Sequence, residues 1–391
     1  MKEVYIVAAK RTPIGGFLGT LSHISATRLG AIAIQSALQS QQIQPEWIQS
    51  VYMGNVLSAN LGQAPARQAS KFAGLPDTVE STTINKVCSS GMKATTIGAQ
   101  QIQLGLEDMV VTGGMENMSQ VPHYKNLRRI TKLGNEELTD GLLKDGLTDV
   151  YHQYHMGLAA ELCADTYHFS REQQDDYALQ SYQKAKVATA SGKFEQEIAP
   201  VSLSPKDNSE KLTQDEDIFK LKEEKVPSLP SAFKQGGTVT AANASNLNDG
   251  AAALVLASQE AIEKHQLRPL AKIIAYADAA QAPEWFTTSP SVAIQKLLTS
   301  VQLTIDDIDC FEINEAYAAV ALANQQILNI PSEKLNIYGG AVAVGHPLGA
   351  SGARIICTLL SVLKNEKGRY GIAAICNGGG GATAILIENL Q

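Results

Sequence analysis

Two stretches of this chain run through the same order of elements, and that repetition restricts its fold more than any other feature. A strand-like run at 4–8 leads to Lys10-Arg11-Thr12-Pro13, a helix-period stretch at 26–38, a linker and a second strand-like run at 48–56. The order returns as a strand at 271–277, Ala282-Pro283, a helical 291–298, a linker at 302–307 and a strand-like 308–313. The next segments match as well. Cys88-Ser89-Ser90-Gly91 opens a helix ahead of a strand at 109–112 and its Gly113-Gly114. Gly349-Ala350-Ser351-Gly352 opens a helix at 353–363 ahead of a strand at 371–375 and the run Gly378 to Gly381. Strands alternating with amphipathic helices predict two similar α/β halves, with mostly parallel sheets covered on both faces and sites at the strand-to-helix turns.

Between the halves, 119–248 has a different character. It is rich in charged and polar residues, including Lys125, Arg128, Arg129, Lys132, Glu136 and Glu137, and it lacks regular strand–helix alternation, so it reads as an insertion that covers something. One helix inside it is well signalled. Ser170 is a candidate N-cap, and 172–190 carries apolar residues at Tyr177, Leu179, Tyr182, Ala185 and Val187. The charged stretch 207–224 predicts a solvated face or loop, and the apolar 251–256 a last strand or helix segment of the first half. The expected domains are 1–118 plus 249–268 as an N-terminal core, 119–248 as an inserted loop domain, and 269–391 as a C-terminal core.

Composition removes several function classes. A net charge of −7 supplies no global basic field for nucleic acid or an anionic membrane. Five cysteines (Cys88, Cys163, Cys310, Cys357 and Cys376) are an odd number with no paired metal spacing, which predicts free thiols in a reducing compartment and no metal site. No apolar run reaches membrane-spanning length, no signal or transit pattern precedes the first strand, and the last residues are no peroxisomal address. A cytoplasmic location is expected. Neither a Gly-x-Gly-x-x-Gly fingerprint nor a Gly-Lys-Ser/Thr phosphate loop is present, so a nucleotide oxidoreductase or an ATPase is poorly supported.

Four places could carry chemistry. Cys88 lies where an extended run gives way to a helix start, and there the macrodipole and free N–H groups favour a thiolate. Taken alone, a lone cysteine there reads better as a buried packing residue. Gly378 to Gly381 follow Cys376-Asn377 at a strand end, the arrangement of an oxyanion hole or anion nest as well as of a tight turn. His346 lies at the duplicate of the Cys88 turn, so a pseudo-twofold packing of the halves would bring a Cys/His pair together across one cleft. Asn314 and Glu315 end a strand in the same half, where an amide and a carboxylate can orient a water or a base.

Taken together these segments resemble the thiolase family, over essentially the whole length. The resemblance rests on Asn85-Lys86-Val87-Cys88-Ser89-Ser90-Gly91-Met92-Lys93-Ala94, Gly113-Gly114-Met115-Glu116-Asn117-Met118-Ser119, Asn314-Glu315-Ala316-Tyr317-Ala318, Gly345-His346-Pro347 and Cys376-Asn377-Gly378-Gly379-Gly380-Gly381. It implies the α/β thiolase fold: two duplicated mixed-sheet α/β core domains, layered α-β-α-β-α, with an inserted loop domain. It also implies reversible Claisen condensation of two acetyl-CoA to acetoacetyl-CoA and CoA, through an acetyl-cysteine. The alternatives are a 3-ketoacyl-CoA thiolase for longer chains and, in another class, a non-catalytic CoA or lipid carrier, which would need none of the four catalytic-type residues.

By that resemblance Cys88 is the nucleophile, His346 its base, and Cys376 the acid/base at the acetyl α-carbon. A water on Asn314 with His346 would form one oxyanion hole, and the N–H groups of Cys88 and Gly378 the other. His155 and Met156 are implied near the pantetheine and acyl pocket, Ala241 and Ser245 in the coenzyme-binding loop, Leu147 and Phe233 as apolar contacts, and Lys220 near the nucleotide phosphates. Phe286, Ala316 and Tyr317 complete the acyl pocket. Two positions depart from commoner patterns: many relatives carry Cys-Ala-Ser-Gly where this chain has Cys88-Ser89-Ser90-Gly91, and Tyr317 stands where Phe is usual. The Phe-Pro pair of potassium-activated relatives is absent, since Thr287 follows Phe286, which argues against potassium activation and 2-methyl-branched substrates. No cofactor is expected, coenzyme A being substrate and product. The expected partners are acetyl-CoA, acetoacetyl-CoA and CoA, with no nucleic acid and no membrane, in a homotetramer built as a dimer of dimers with 119–140 as its tetramerisation loop.

Overall fold

Period-2 alternation sends successive side chains of each strand into different cores, and amphipathic helices cover the faces so formed. The computed structural model describes residues 1–128, 133–203 and 210–391. With the main elements numbered along the chain, the first half holds β1 (Val4–Arg11), α1 (Ala26–Ser40), β2 (Ser50–Gly54), α2 (Pro65–Phe72), β3 (Glu80–Ile84), α3 (Ser90–Gln103) and β4 (Met109–Asn117). The insertion carries α4 (Met156–Tyr167) and α5 (Arg171–Ala190), after which β5 (Asn248–Ser258) rejoins the first half. The second half holds β6 (Ala271–Ala280), α6 (Ser289–Val301), β7 (Cys310–Ile313), α7 (Ala318–Leu328), α8 (Leu348–Asn365), β8 (Tyr370–Asn377) and β9 (Gly381–Asn389).

Strand pairing repeats between the halves. In the first, β2 runs parallel to β3 and β4, while β5 is antiparallel to β4 and β1. In the second, β7 runs parallel to β8, Phe311 bridges in parallel to Leu335, and β9 is antiparallel to β8 and β6. Even the bulge recurs: register slips between Ile6 and Ala8 in one half and between Ile273 and Ala275 in the other. The halves join where β1 meets β6 antiparallel, with Val4 opposite Ile273, Tyr5 opposite Lys272 and Ile6 opposite Ala271. Exchanging Val4 with Ala271 and Ile6 with Ile273 maps that ladder onto itself, so a pseudo-twofold axis passes between Tyr5 and Lys272. Both sheets are mixed, not mostly parallel as the alternation suggested. The reason is connectivity: a glycine turn joins β8 to β9, and the insertion, not a crossover helix, leads into β5, so nothing forces these strands to be parallel.

Three cores stack in layers. Outside the first half, Leu29 and Ile34 of α1 pack on Val51, Val111 and Val255. Outside the second, Ile294 and Leu297 of α6 pack on Phe311, Ile372 and Leu386. Between the sheets lie α3 and α8, where Met92, Ile102, Ile355 and Leu359 meet Leu254, Ile375 and Ile385. The central helices approach closely because glycines line their crossing. A Cβ on Gly352 would lie 2.5 Å from Met92 N, and one on Gly114 of β4 only 2.0 Å from Gly349 O. α8 begins at Leu348, earlier than the predicted 353, because the Glu116 carboxylate accepts the Gly349 N–H (2.9 Å) and satisfies an amide of its first turn.

Within the insertion, α5 starts at a capping box made by Ser170 and Gln173. The solvated reading of 207–224 needs correction, with 204–209 lying outside the described residues. Asp215 is buried and takes both Nη atoms of the fully buried Arg11 (2.6 and 2.9 Å), while Glu197 takes its Nε at 2.5 Å. Asp217 accepts Asn248 Nδ2 at 2.8 Å. Each buried carboxylate has a donor, which is what permits its burial; this segment straps the insertion to β1. Of the charged tract at 125–137, and of the loop 119–140, residues 129–132 lie outside the described residues.

The glycine crossing yields a stability prediction. Gly114→Ala must push backbone away from Gly349 O and is expected to cost at least about 3 kcal/mol, at the upper end of overpacking. Gly236→Ala, with positive φ but nothing within 4 Å of a new Cβ, is expected to cost roughly 1 kcal/mol. Urea denaturation of the two variants compares them, and equal losses would disprove the close approach.

Candidate active site

The loop from β3 to α3 is held tightly by its own side chains. Ser90 Oγ donates to Val87 O (2.5 Å) and accepts Lys86 N–H (2.8 Å), and Asn85 Oδ1 accepts Val87 N–H (3.0 Å). Val87 is thereby fixed at φ 48, a left-handed conformation costing a β-branched residue roughly 1–2 kcal/mol, and Cys88 follows it just before the N-cap Ser89. Ties to the second half complete the loop. Lys86 Nζ reaches Asp278 Oδ1 (2.6 Å) and Thr383 Oγ1 (2.9 Å), and Ser89 Oγ lies 3.1 Å from Ile375 O and 2.9 Å from Asn377 Oδ1. The segments bearing Cys88 and Cys376 are therefore directly linked.

His346 sits on the turn before α8, after Gly345 with φ 110. Its N–H donates to Asn248 Oδ1 (2.9 Å), and its Nδ1 lies 2.6 Å from Ser351 Oγ. Ser351 has one hydroxyl hydrogen, which goes to Pro347 O at 2.9 Å; it must then accept from Nδ1–H, which leaves the lone pair on Nε2. His346 Nε2 and Asn314 Oδ1 are buried atoms without a partner among the described residues, and Asn314 Nδ2 stands 3.5 Å from the imidazole. Glu315 points elsewhere: it accepts Tyr177 Oη and Ser181 Oγ of α5 (2.8 Å each) and Asn336 Nδ2, anchoring the insertion to the second half.

A cavity of about 360 Å³ opens on these groups. Cys88, His346 and Gly378 line it from the two halves, Leu147, His155, Met156, Phe233, Ala241 and Ser245 from the insertion, and Phe286, Ala316 and Tyr317 from the second half. Asn314 and Cys376 lie behind this wall, buried. Lys220 does not line it. It borders a neighbouring depression that shares Ala241, Asn246 and Leu247 with the cavity, and its Nζ is engaged by Glu216 (2.8 Å) and Asp217 (3.0 Å). Ser245 Oγ donates to Ala316 O (2.9 Å), and His155 stacks on Phe233 with centroids 4.5 Å apart. Sequence reading missed Ser351, Asn248 and Glu116, which set the histidine and helix, and the lining residues Met118, Leu143 and Leu348. Ser351 was in plain view five residues after His346, but only the helix start at Leu348 turns it back onto the ring.

Electrostatics revise the expectation of a resting thiolate. Burial pushes the Cys88 thiol up to about 12, against the pull of the Gly378 and Cys88 backbone N–H groups that face its sulfur. Burial, helped by the Arg354 cation, holds His346 down to about 3. Burial and then the neighbouring Cys88 raise Cys376 well above the usual thiol range. Desolvation thus outweighs the helix terminus, and the resting pair is a neutral thiol beside a neutral imidazole. The arrangement offers a nucleophile, a base with a free lone pair, a second thiol and two N–H donors on one sulfur, as acyl transfer requires. Among the described residues no cluster of metal-ligand type occurs, and no helix is long and apolar enough to cross a membrane.

Comparison with known proteins follows the same lines. Residues 4–260 match the family model "Thiolase, N-terminal domain" and residues 267–389 the model "Thiolase, C-terminal domain". The chain is 53% identical over 393 residues to acetyl-CoA acetyltransferase 2 of Arabidopsis thaliana, covering 100% of this chain and 98% of that protein. It is 51% identical to a cytosolic acetyl-CoA acetyltransferase of Gibberella zeae, covering 100% and 99%. Among solved structures, the Acat5 thiolase of Ascaris suum in complex with coenzyme A superposes with a TM-score of 0.95 at 46% identity, each chain covered completely.

The neutral pair has a measurable signature. In free protein, alkylation of Cys88 by iodoacetamide is expected to rise steadily with pH through 9 without a plateau, since a thiol pushed up to about 12 stays protonated there. A plateau with a midpoint near 6 to 7 would instead show a thiolate–imidazolium pair.

Proposed function

The chain belongs to the thiolase family, and we propose that within it this protein is an acetyl-CoA acetyltransferase, interconverting two acetyl-CoA with acetoacetyl-CoA and CoA. The observation that carries the proposal is the union in one cavity of the Cys88 thiol, the His346 imidazole and the Gly378 N–H, with Cys376 just behind.

In the condensing direction Cys88 Sγ attacks the acetyl thioester carbonyl while His346 Nε2 takes its proton. The N–H groups of Cys88 and Gly378, already aimed at the sulfur, receive the developing oxyanion. Coenzyme A leaves as a thiol, taking its proton from Cys376 and leaving a thiolate there, and the acetyl group stays on Cys88 while His346 keeps the proton it took. A second acetyl-CoA then gives an α-proton to the Cys376 thiolate, its enolate oxygen held by a water on Asn314 and by the protonated His346 Nε2. The enolate carbon bonds to the acetyl carbonyl, the Cys88 sulfur departs and recovers its proton from His346, and acetoacetyl-CoA forms. Deprotonating a thiol of high pKa is unfavourable in the empty site, so attack is coupled to substrate arrival, when the carbonyl accepts charge as the sulfur loses its proton.

The cavity is narrow and mostly apolar, suited to a pantetheine arm, and the depression beside it suits the nucleotide end. Lys220 must exchange Glu216 and Asp217 for phosphate oxygens to contribute there. Met156 and Phe286 wall the acyl end and favour an acetyl group over longer chains. A cytosolic location is supported by the cytosolic relative. A homotetramer is supported by apolar side chains exposed along the insertion, Leu133, Leu138, Val150 and Tyr151 among them. No cofactor is required by this chemistry.

Three measurements test the proposal. Incubation with acetyl-CoA should acetylate Cys88, seen by peptide mass spectrometry. Cys376→Ala should still be acetylated but condense about 10³-fold more slowly, as expected for loss of a general acid/base; loss of acetylation as well would refute separate roles for the two thiols. Thiolysis over a chain-length series should be fastest with acetoacetyl-CoA, and faster cleavage of longer 3-ketoacyl-CoAs would make the protein a 3-ketoacyl-CoA thiolase instead.

A further inference from the structure

The cavity wall carries a phenolic hydroxyl that the reaction just described leaves unused. Tyr317 precedes α7, is 8% exposed and lines the cavity. Its ring packs edge-on against Phe233 with centroids 6.1 Å apart. Phe233, Phe286, Met156 and Val87 make the surrounding wall apolar. The hydroxyl has no hydrogen-bond partner among the described residues and, unlike the enclosed unpartnered hydroxyls of Ser70 and Thr287, it keeps access to the cavity. Tyr317 shares the cavity wall with Cys88 and packs in one cluster with Cys376, Met156 and Phe286, so it stands beside the space that an acyl group on Cys88 must fill.

We propose that the Tyr317 hydroxyl is a specificity-determining hydrogen-bond partner for an oxygen on the acyl group, so that this thiolase takes short 2-hydroxyacyl thioesters in preference to alkyl ones of the same size. The inference rests on the thiolase reading and deepens it. A buried hydroxyl on an apolar wall must either pair with the ligand or lose its hydration when an alkyl group presses on it. An oxygen-bearing acyl group supplies the pairing, and an extra methyl group does not. Discrimination is strong when a site's polar group is left unpaired by the wrong substrate and weak when only a methylene is added. The reaction balances as before: glycolyl-CoA and Cys88–SH give glycolyl-S-Cys88 and CoA–SH, and the acetyl-CoA enolate then gives 4-hydroxy-3-oxobutanoyl-CoA with release of Cys88.

Glycolyl-CoA and propionyl-CoA differ by a hydroxyl in place of a methyl group and suit the test. An equimolar mixture of the two is quenched after brief exposure to the enzyme, and the adducts on Cys88 are counted by mass spectrometry. The kcat/KM of each thioester with acetyl-CoA is measured alongside. The glycolyl-to-propionyl ratio should exceed one in the natural protein and fall at least about fivefold in Tyr317→Phe, the fold-change that loss of one hydrogen bond brings. Because Tyr317→Phe keeps the ring that packs against Phe233 and removes only the hydroxyl, the variant is expected to fold, and its acetyl adduct confirms that it has. An unchanged ratio in Tyr317→Phe, or a natural protein that favours propionyl-CoA, overturns the specificity proposal while leaving the thiolase reading intact. Absence of any adduct on Cys88, acetyl included, overturns both.

Discussion

Everything at the site depends on how closely the two central helices cross. α3 carries Cys88 at its entrance and α8 carries His346 at its own, and each belongs to a different half of the chain. They can share a cavity only because Gly91, Gly114 and Gly352 leave no side chain in the way: Cβ atoms there would lie 2.0 to 2.9 Å from atoms of the opposite half. Glu116 fixes the same crossing chemically. It accepts N–H groups from Val56 and Leu57 of the first half and from Gly349 of the second, so one carboxylate spans the joint. Its burial is costly in isolation, raising it to about 7, and is tolerated because Asn55 Nδ2 also donates to it. The cavity is thus a consequence of backbone contact, and the chemistry is arranged around a joint that side chains alone could not make.

Duplication supplied the scaffold, and divergence made one site of it. Gly91 packs against Ala353, and Gly352 reciprocally against Met92, which sets Cys88 equivalent to Gly349 and His346 equivalent to Asn85. The sulfur in one half is matched by a glycine whose amide serves Glu116. The imidazole in the other is matched by an amide that holds Val87 in its left-handed conformation. A symmetric pair of half-sites would compete for the same crossing. Instead one half offers the nucleophile and the other the base, while the matching positions do positioning work for their counterparts.

Much of this was legible in the sequence, and the physical reasons for the rest are specific. Repeats of strand and helix period survive in any window of residues, so β1, α1, β6, α6 and the order of the halves could be read directly. Strand direction could not, because it is set by connections: the glycine turn after Asn377 and the long insertion before Asn248 permit antiparallel neighbours that alternation does not announce. Cys88, His346 and the Cys376–Gly378 segment stood out by composition. Ser351 and Asn248 did not, since a serine in a helix and an asparagine at a strand start are commonplace until the fold turns them onto one imidazole. The acidic residues at 215 and 217 were misread as solvated because Arg11 and Asn248, their partners, are about 200 and 31 residues away.

The largest departure concerns charge, and it bears on how such a site works. A helix entrance favours a thiolate by roughly 1 kcal/mol, whereas burial pushes the Cys88 thiol up to about 12 against the pull of the backbone N–H groups. The larger effect wins, and the empty site stores no charge. The same low-dielectric surroundings that forbid a resting thiolate strengthen the Gly378 and Cys88 N–H dipoles once an oxyanion forms between them. A site built this way keeps its nucleophile protonated until a bound thioester accepts charge. Burial, which looks like a handicap for the cysteine alone, is then what gives the whole constellation its selectivity for the reaction over side reactions.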